Sequence, residues 1–306
     1  MIYSWFYLDF IAENGIQLVI VFYQRPFFLT YDIALCDICI YDQSQKSHIS
    51  FSDSIQQSVF EKNPVNVVIS QSKLVFKDNG YLLVIQGGEF QLKLELNQRY
   101  LHWQPFSVPL YQDDHKYFKW IVYSPSLLGK GNMTINGHST DLQGNGYLDS
   151  NEGNFPLNQA LKSWMWGRFL GSIKTILFGS LSFNNGKIYQ PVLVVNDKEY
   201  RFLNIHHPIS LENYSLDFSD KILDQQIFSQ KIKLLDSIKF LISKLPSNWK
   251  FFRKLHEFIF YRLDNYEWGR KINAPFSNIQ YYRYLADMKD QDNIEYQGII
   301  EQIKFK

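Results

Sequence analysis

Tyr147 and Asp149 stand two residues apart in the stretch GNGYLDSNEGN, Gly144 to Asn154. Read as Gly-x-Gly-Tyr-x-Asp, it sets one carboxyl beside an aromatic ring, which suggests an acid. Extended back to Asp141, the same stretch becomes DLQGNGYLDSNE. Asp141, Gln143, Asn145, Gly146, Asp149 and Glu152 then fall at positions 1, 3, 5, 6, 9 and 12 of a calcium loop. A calcium loop needs a helix on each side. Upstream, GNMTINGHST is strand- and turn-like, and downstream GNFPL places Gly and Pro where the exiting helix should begin. Position 3 is Gln, and there is no second hand to pair with. Gly/Asn/Asp-rich turns produce such spacing easily, so no metal is expected.

The elements that must position these residues read as strands. WFYLDFIA and IQLVIVFYQ flank the turn ENG, and YDIALCDICIYD follows before a polar stretch near Gln43 to Asp53. Three alternating runs between Asn66 and Gln98 are broken by KDNG and QGG. YFKWIVYSP is another run, and GNMTINGHSTDLQGNGYLD has the pattern of a hairpin around NGHST. Strands alternating with helices are absent, which argues against a doubly wound sheet and for a sandwich or barrel. The second half opens near LKSWMWGRF and returns to strands with NNGK and NDKE as turns. Between Ser219 and Leu245 the apolar positions approach a 3.6-residue period, Pro246 ends it, and NWKFFRKLHEFIFYRL suggests another helix. The last stretch, IEYQGIIEQIKFK, predicts a closing strand. The expectation is a mainly β protein of two antiparallel β domains, 1–160 and 161–306, the second with a helical insertion at about 219–265.

Bulk properties narrow the function classes. The 306 residues carry 31 Lys+Arg against 30 Asp+Glu, a net charge of +1, so nothing points to nucleic acid as partner. Aromatics are 17% of the chain, which suits strands and apolar ligand pockets alike. Cys36 and Cys39 form C-x-x-C. On a strand they point to opposite faces, and no second pair completes a zinc site. His206 and His207 resemble neither a metal pair nor a base. The N-terminus lacks a basic n-region and cleavage site, and no apolar run is long enough to span a bilayer. A cytoplasmic protein is the default. The insertion is basic, from Lys221 to Lys254, and reads either as a solvated helix face or as a peripheral membrane contact. Oligomeric state leaves no signal.

Several motifs in order resemble one family. WFYLDF with GIQLVIVFYQRPF, FKWIVYSPSLLGKGNMTING, GNGYLDSNEGNFPL, WMWGRF and YQGIIEQIKF are similar to segments of the carotenoid hydratase (hydroxyneurosporene synthase) and AttH-like proteins. Fungal decalin-forming pericyclases and plant tocopherol cyclase are more distant relatives. The resemblance implies a two-domain, lipocalin-like (calycin) fold with a ligand in an apolar cavity. It also implies non-redox chemistry without metal or other cofactor on a hydrophobic small molecule. The family's essential Tyr-x-Asp falls on Tyr147 and Asp149, and its upstream Trp on Trp120. Its Gly-Tyr-His-Asp-His-Asn-Trp-Gly box is altered here: Leu148, Ser150 and Glu152 replace the two His and the Trp, while Asp149 and Asn151 remain. The missing histidines remove groups that could orient Asp149 or position a water.

The physics of such a site agrees with these residue types. An exposed Asp is ionised at neutral pH, whereas burial among aromatics raises its pKa and keeps the proton on. That proton can add to an alkene. The resulting cation is attracted to aromatic faces such as those of Trp120, Tyr147, Trp164 or Trp166, and the pocket must control water. Glu152 either shares a proton with Asp149 or faces solvent. Trp164 and Trp166 line a pocket or pack a core. Arg168 holds a carboxylate such as Asp149 or Glu301, or forms a structural ion pair at the domain junction. Glu301 reaches the cavity or caps the sheet. Three functions remain open: acid-catalysed hydration, isomerisation or cyclisation of a polyene-like molecule; a pericyclase working by preorganisation; and a lipocalin-like carrier.

Overall fold

The computed structural model describes residues 2–25, 33–42, 45–205, 214–217, 222–227, 279–290 and 295–305. Twelve strands form the first sheet: β1 (Tyr3–Ala12), β2 (Gln17–Tyr23), β3 (Ile33–Asp42), β4 (Gln45–Ser54), β5 (Val59–Lys62), β6 (Val65–Ile69), β7 (Ser72–Lys77), β8 (Gly80–Gly87), β9 (Phe90–Gln98), β10 (Phe106–Gln112), β11 (Tyr117–Ile135) and β12 (His138–Gly153). Eight form the second: β13 (Leu161–Leu170), β14 (Lys174–Phe183), β15 (Ile188–Asn196), β16 (Tyr200–Ile205), β17 (Tyr214–Asp217), β18 (Ile222–Ile227), β19 (Ile279–Asp290) and β20 (Glu295–Phe305). The architecture is the antiparallel β fold that the alternating runs predict.

In the first sheet the order is β4-β3-β2-β1-β12-β11-β9-β8-β7-β6-β5, with β10 also on β11. β3 and β4 come round against β6, so the sheet curls into a half-barrel. The second runs β16-β15-β14-β13-β20-β19-β17, with β18 also on β19. β11 and β12 form a long hairpin whose turn is Asn136-Gly137, both at positive φ (51° and 80°), as a two-residue type I′ connection requires. Two features depart from the sequence reading. The polar stretch near Gln43 to Asp53 contributes β4, an edge strand with side chains free to meet solvent. Within the span expected to be a helical insertion, Ile222–Ile227 form β18; residues 228–278, on which the rest of the first expected helix, the second expected helix and most of the basic side chains fall, lie outside the described residues, as do His206 and His207.

Period-two alternation divides the core. Inward residues of the half-barrel, among them Phe6, Leu8, Phe10, Leu94, Tyr123 and Leu148, form one cluster. The opposite face of β1, β11 and β12 packs on the second sheet: Trp5, Tyr7, Trp120 and Tyr147 meet Trp166, Leu177, Leu193 and Ile299. Each fully buried large side chain of this kind contributes about 2–3 kcal/mol by leaving water. Cys36 and Cys39 fall into the two different clusters, as strand geometry demands. Among the described residues no helix is long and apolar enough to cross a membrane.

Candidate active site

Asp149 lies mid-sheet, on the face of β12 that meets the second sheet. In the register, Asp149 is opposite Tyr7 on β1 and Val122 on β11; Tyr147 is opposite Asp9, and Asn151 is opposite Trp5 and Trp120. The calcium geometry is absent because β12 is extended from His138 to Gly153. Its even- and odd-numbered side chains point to opposite faces, so the stretch cannot wrap an ion. Gly144 permits close approach of β1, since a Cβ there would stand 2.1 Å from the Ile11 carbonyl oxygen.

Asp149 is 3% exposed. Its Oδ2 accepts from the Tyr147 hydroxyl at 2.8 Å and from Trp120 Nε1 at 2.8 Å. Trp120 Nε1 also lies 3.1 Å from the Tyr147 oxygen, closing a triangle. Asn151 Nδ2 lies 3.3 Å from Oδ1, while the Asn151 side-chain oxygen is buried without a partner among the described residues. Burial pushes the Asp149 pKa up to about 8, against the hydrogen bonds from Tyr147 and Trp120, with Glu301 and Asp9 adding to the rise. Tyr147 is raised well above an ordinary tyrosine, first by burial and then by Asp149, so it stays a hydroxyl donor.

Burial is the main reason Asp149 keeps its proton, and the surrounding carboxylates add to it. Asp9, fully buried, pairs with Arg168 through Nη2 and through Nε at 3.3 Å. Burial still lifts Asp9 to about 6, with Arg168 opposing. Glu301 accepts from Arg283 Nε at 2.7 Å and from the Tyr7 hydroxyl at 2.9 Å. Among the described residues, Arg168 is taken up by Asp9 and Arg283 by Glu301, so neither guanidinium pairs with Asp149. A third carboxylate would be an uncompensated buried charge.

The other candidates divide by face. Trp166 packs its ring 5.1 Å from Tyr147 and 5.2 Å from Tyr7, inside the site. Trp164 packs at the edge of the same seam, its ring tilted 6.1 Å from Trp5 and edge-on 5.5 Å from Phe118. Arg168 joins the site from β13, its guanidinium 5.9 Å from the Tyr147 ring centre, but the carboxylate it holds is Asp9 rather than Asp149 or Glu301. Glu301 reaches the seam through Tyr7 and does not merely cap the sheet. Glu152 is corrected: it stands on the opposite face from Asp149, held by Lys62, by Lys119 at 3.2 Å and by Tyr117 at 2.8 Å. It neither shares a proton with Asp149 nor stands free in solvent. Leu148 and Ser150 lie on that face too. Every change in the Gly-Tyr-x-Asp box is thus on one side of β12, and the retained Tyr147, Asp149 and Asn151 are on the other. Histidines at 148 and 150 would not point at Asp149, so their loss leaves its partners intact.

Asp9, Tyr7 and Arg283 were not singled out from sequence. Asp9 had a signal: one acid in the apolar run YSWFYLDFIA. Arg283 had none. A separate open cleft of about 330 Å³, lined by Lys62, Tyr81, Trp103 and Tyr123 among others, includes none of the groups bonded to Asp149.

Fold and site together define a lipocalin-like β protein of two antiparallel sheets with a carboxyl buried in the aromatic seam between them. The family model of the carotenoid hydratase CrtC matches residues 52–210, just over half of the chain, and the chain belongs to that family. The match takes in Trp120, Tyr147, Asp149, Trp166 and Arg168. No curated protein matches. Among solved structures, the fold is similar to CghA in complex with Sch210972, at 8% identity, a TM-score of 0.57 and coverage of 100% of this chain and 88% of that one. An AttH-type protein from Nitrosomonas europaea gives 11%, 0.53, 98% and 91%. Kievitone hydratase from Nectria haematococca gives 8%, 0.54, 99% and 89%. At these identities the likeness is one of fold.

Proposed function

We propose that this protein is an acid-catalysing enzyme of the hydratase or cyclase type, acting on an apolar, polyene-like small molecule, with Asp149 as the proton donor. Membership of the carotenoid hydratase family supports the reaction class. The observation that carries the role of Asp149 is a buried carboxyl held neutral to about pH 8 while its Oδ2 is bound by two donors. Asp149 gives its proton to a substrate alkene, leaving a carbocation and a carboxylate. The bonds from Tyr147 and Trp120 strengthen as that negative charge appears, which favours the transition state over the ground state. The faces of Trp120, Tyr147 and Trp166 stabilise the cation without attacking it. In hydration, a water adds to the cation and returns its proton to Asp149, so the acid is regenerated. The unpaired oxygen of Asn151 is an acceptor for that water. In isomerisation, loss of a neighbouring proton to the Asp149 carboxylate replaces the water; in cyclisation, a second alkene adds to the cation and the new cation then loses a proton to Asp149. The scheme is non-redox and calls on no metal.

The test is turnover of an acyclic carotenoid in H₂¹⁸O and separately in D₂O. Hydration places labelled oxygen in the product; acid-initiated isomerisation or cyclisation places deuterium alone. Asp149→Asn should abolish product while ligand still binds. Full activity in that variant with no label in the product would instead favour a pericyclase that works by folding its substrate. Ligand uptake without product from the unmodified protein would favour a carrier.

A further inference from the structure

We infer that Trp166 Nε1 and Arg168 Nη1 form a donor pair for a neutral oxygen acceptor on the substrate, so that the molecule bound in the seam is an oxygenated polyene bearing a carbonyl rather than a pure hydrocarbon. This rests on the proposed placement of the substrate beside Asp149. Trp166 and Arg168 are two residues apart on β13 and project from the same face. Both border Tyr147, Trp166 by its ring and Arg168 by its guanidinium. Trp166 is 5% exposed and Arg168 is 0% exposed. Yet Trp166 Nε1 and Arg168 Nη1 have no hydrogen-bond partner among the described residues. Both atoms can only donate. Buried donors without acceptors are costly, more so on a charged group, and so are rare without a reason. A ligand oxygen between them supplies that reason.

Charge selects which oxygen. Arg168 is already balanced by Asp9, and Glu301 by Arg283. A substrate carboxylate would add an uncompensated negative charge close to Asp9, whereas a carbonyl accepts both bonds and adds none. The remainder of the seam is aromatic, a lining that suits an apolar polyene chain.

Three probes share one polyene skeleton: methyl retinoate with a neutral carbonyl, retinoate with an anion, and axerophthene with neither. Their affinities are read from quenching of tryptophan fluorescence. Methyl retinoate is expected to bind about tenfold more tightly than either of the others. Trp166→Phe keeps most of the ring and removes only the donor. It should weaken methyl retinoate about five- to tenfold more than it weakens axerophthene. Infrared spectra of bound methyl retinoate should show a lowered carbonyl stretch that partly recovers in Trp166→Phe, a signature that mere packing would not give. Equal affinity for the three probes, failure of methyl retinoate to bind, or equal weakening of ester and hydrocarbon in Trp166→Phe would overturn the inference. The two proposals fail separately: a fully active Asp149→Asn protein, with ester preference intact in the unmodified protein, sinks the acid role alone, and equal affinity of the unmodified protein for the three probes, with Asp149→Asn inactive, sinks the donor pair alone.

Discussion

Replacing Asp149 by Asn should make the stability of the protein less sensitive to pH in a defined window. Asp149 has a pKa pushed up to about 8 in the folded chain, against 3.8 for an ordinary aspartate. A carboxyl with a raised folded-state pKa supports folding fully below the unfolded value. That support is lost as pH rises toward the folded value, because the unfolded chain releases the proton first. Each pH unit in this interval is worth about 1.4 kcal/mol. Between pH 5 and pH 7 the wild type should therefore lose about 3 kcal/mol relative to Asp149→Asn, whose amide fills nearly the same volume and does not titrate. The difference should flatten below about pH 4 and above about pH 8. Urea denaturation of both proteins at half-unit pH steps measures it, and other titrating groups largely cancel in the subtraction. Parallel stability curves from pH 4 to pH 8 would show that Asp149 titrates normally, and the acid role would fall with them.

Tyr147→Phe keeps the ring and removes one of the two donors to Oδ2. Since a hydrogen bond to a charged group is worth about 1.5–3 kcal/mol, turnover should fall about 10- to 100-fold and the alkaline limb of the pH–rate profile should move upward. An unchanged profile would mean that the hydroxyl does not support the developing carboxylate. Asp9→Asn leaves the Arg168 guanidinium buried without its counter-charge and should destabilise the fold by about 3–5 kcal/mol in thermal or urea unfolding. Glu152→Gln, on the far face of β12, should leave turnover within about twofold while costing about 1–3 kcal/mol of stability, because Lys62 and Lys119 lose their largely buried counter-charge; a large loss of turnover would return Glu152 to the site.

The fold was legible because strand alternation and turn chemistry leave local marks. Asn136-Gly137, and the Asp78 and Asn79 of KDNG, all have the positive φ that tight hairpins demand. Tyr147, Asp149 and Asn151 were legible as a set because a period of two puts them on one face. The same period could have shown in advance that positions 148, 150 and 152 face away. What sequence could not give was the tertiary pairing. Arg168 meets Asp9 across 159 residues, and Arg283 meets Glu301 and Tyr41 through two strands that only the folded sheets bring beside β1 and β3. No local pattern encodes which carboxylate a buried arginine will find. Nor does one reveal how deeply the folded sheets bury Asp149, which is what chiefly keeps it protonated.

The most direct measurement is the titration of the Asp149 carboxyl itself. Protein labelled with ¹³C at aspartate side-chain carboxyls is followed by NMR from pH 4 to pH 9, with the Asp149→Asn protein identifying the resonance. A midpoint near 8, with the carboxyl still protonated at pH 7, is the expected result. A midpoint near 4 would mean a carboxylate at neutral pH, which cannot protonate an alkene, and would contradict the proposed chemistry at its first step.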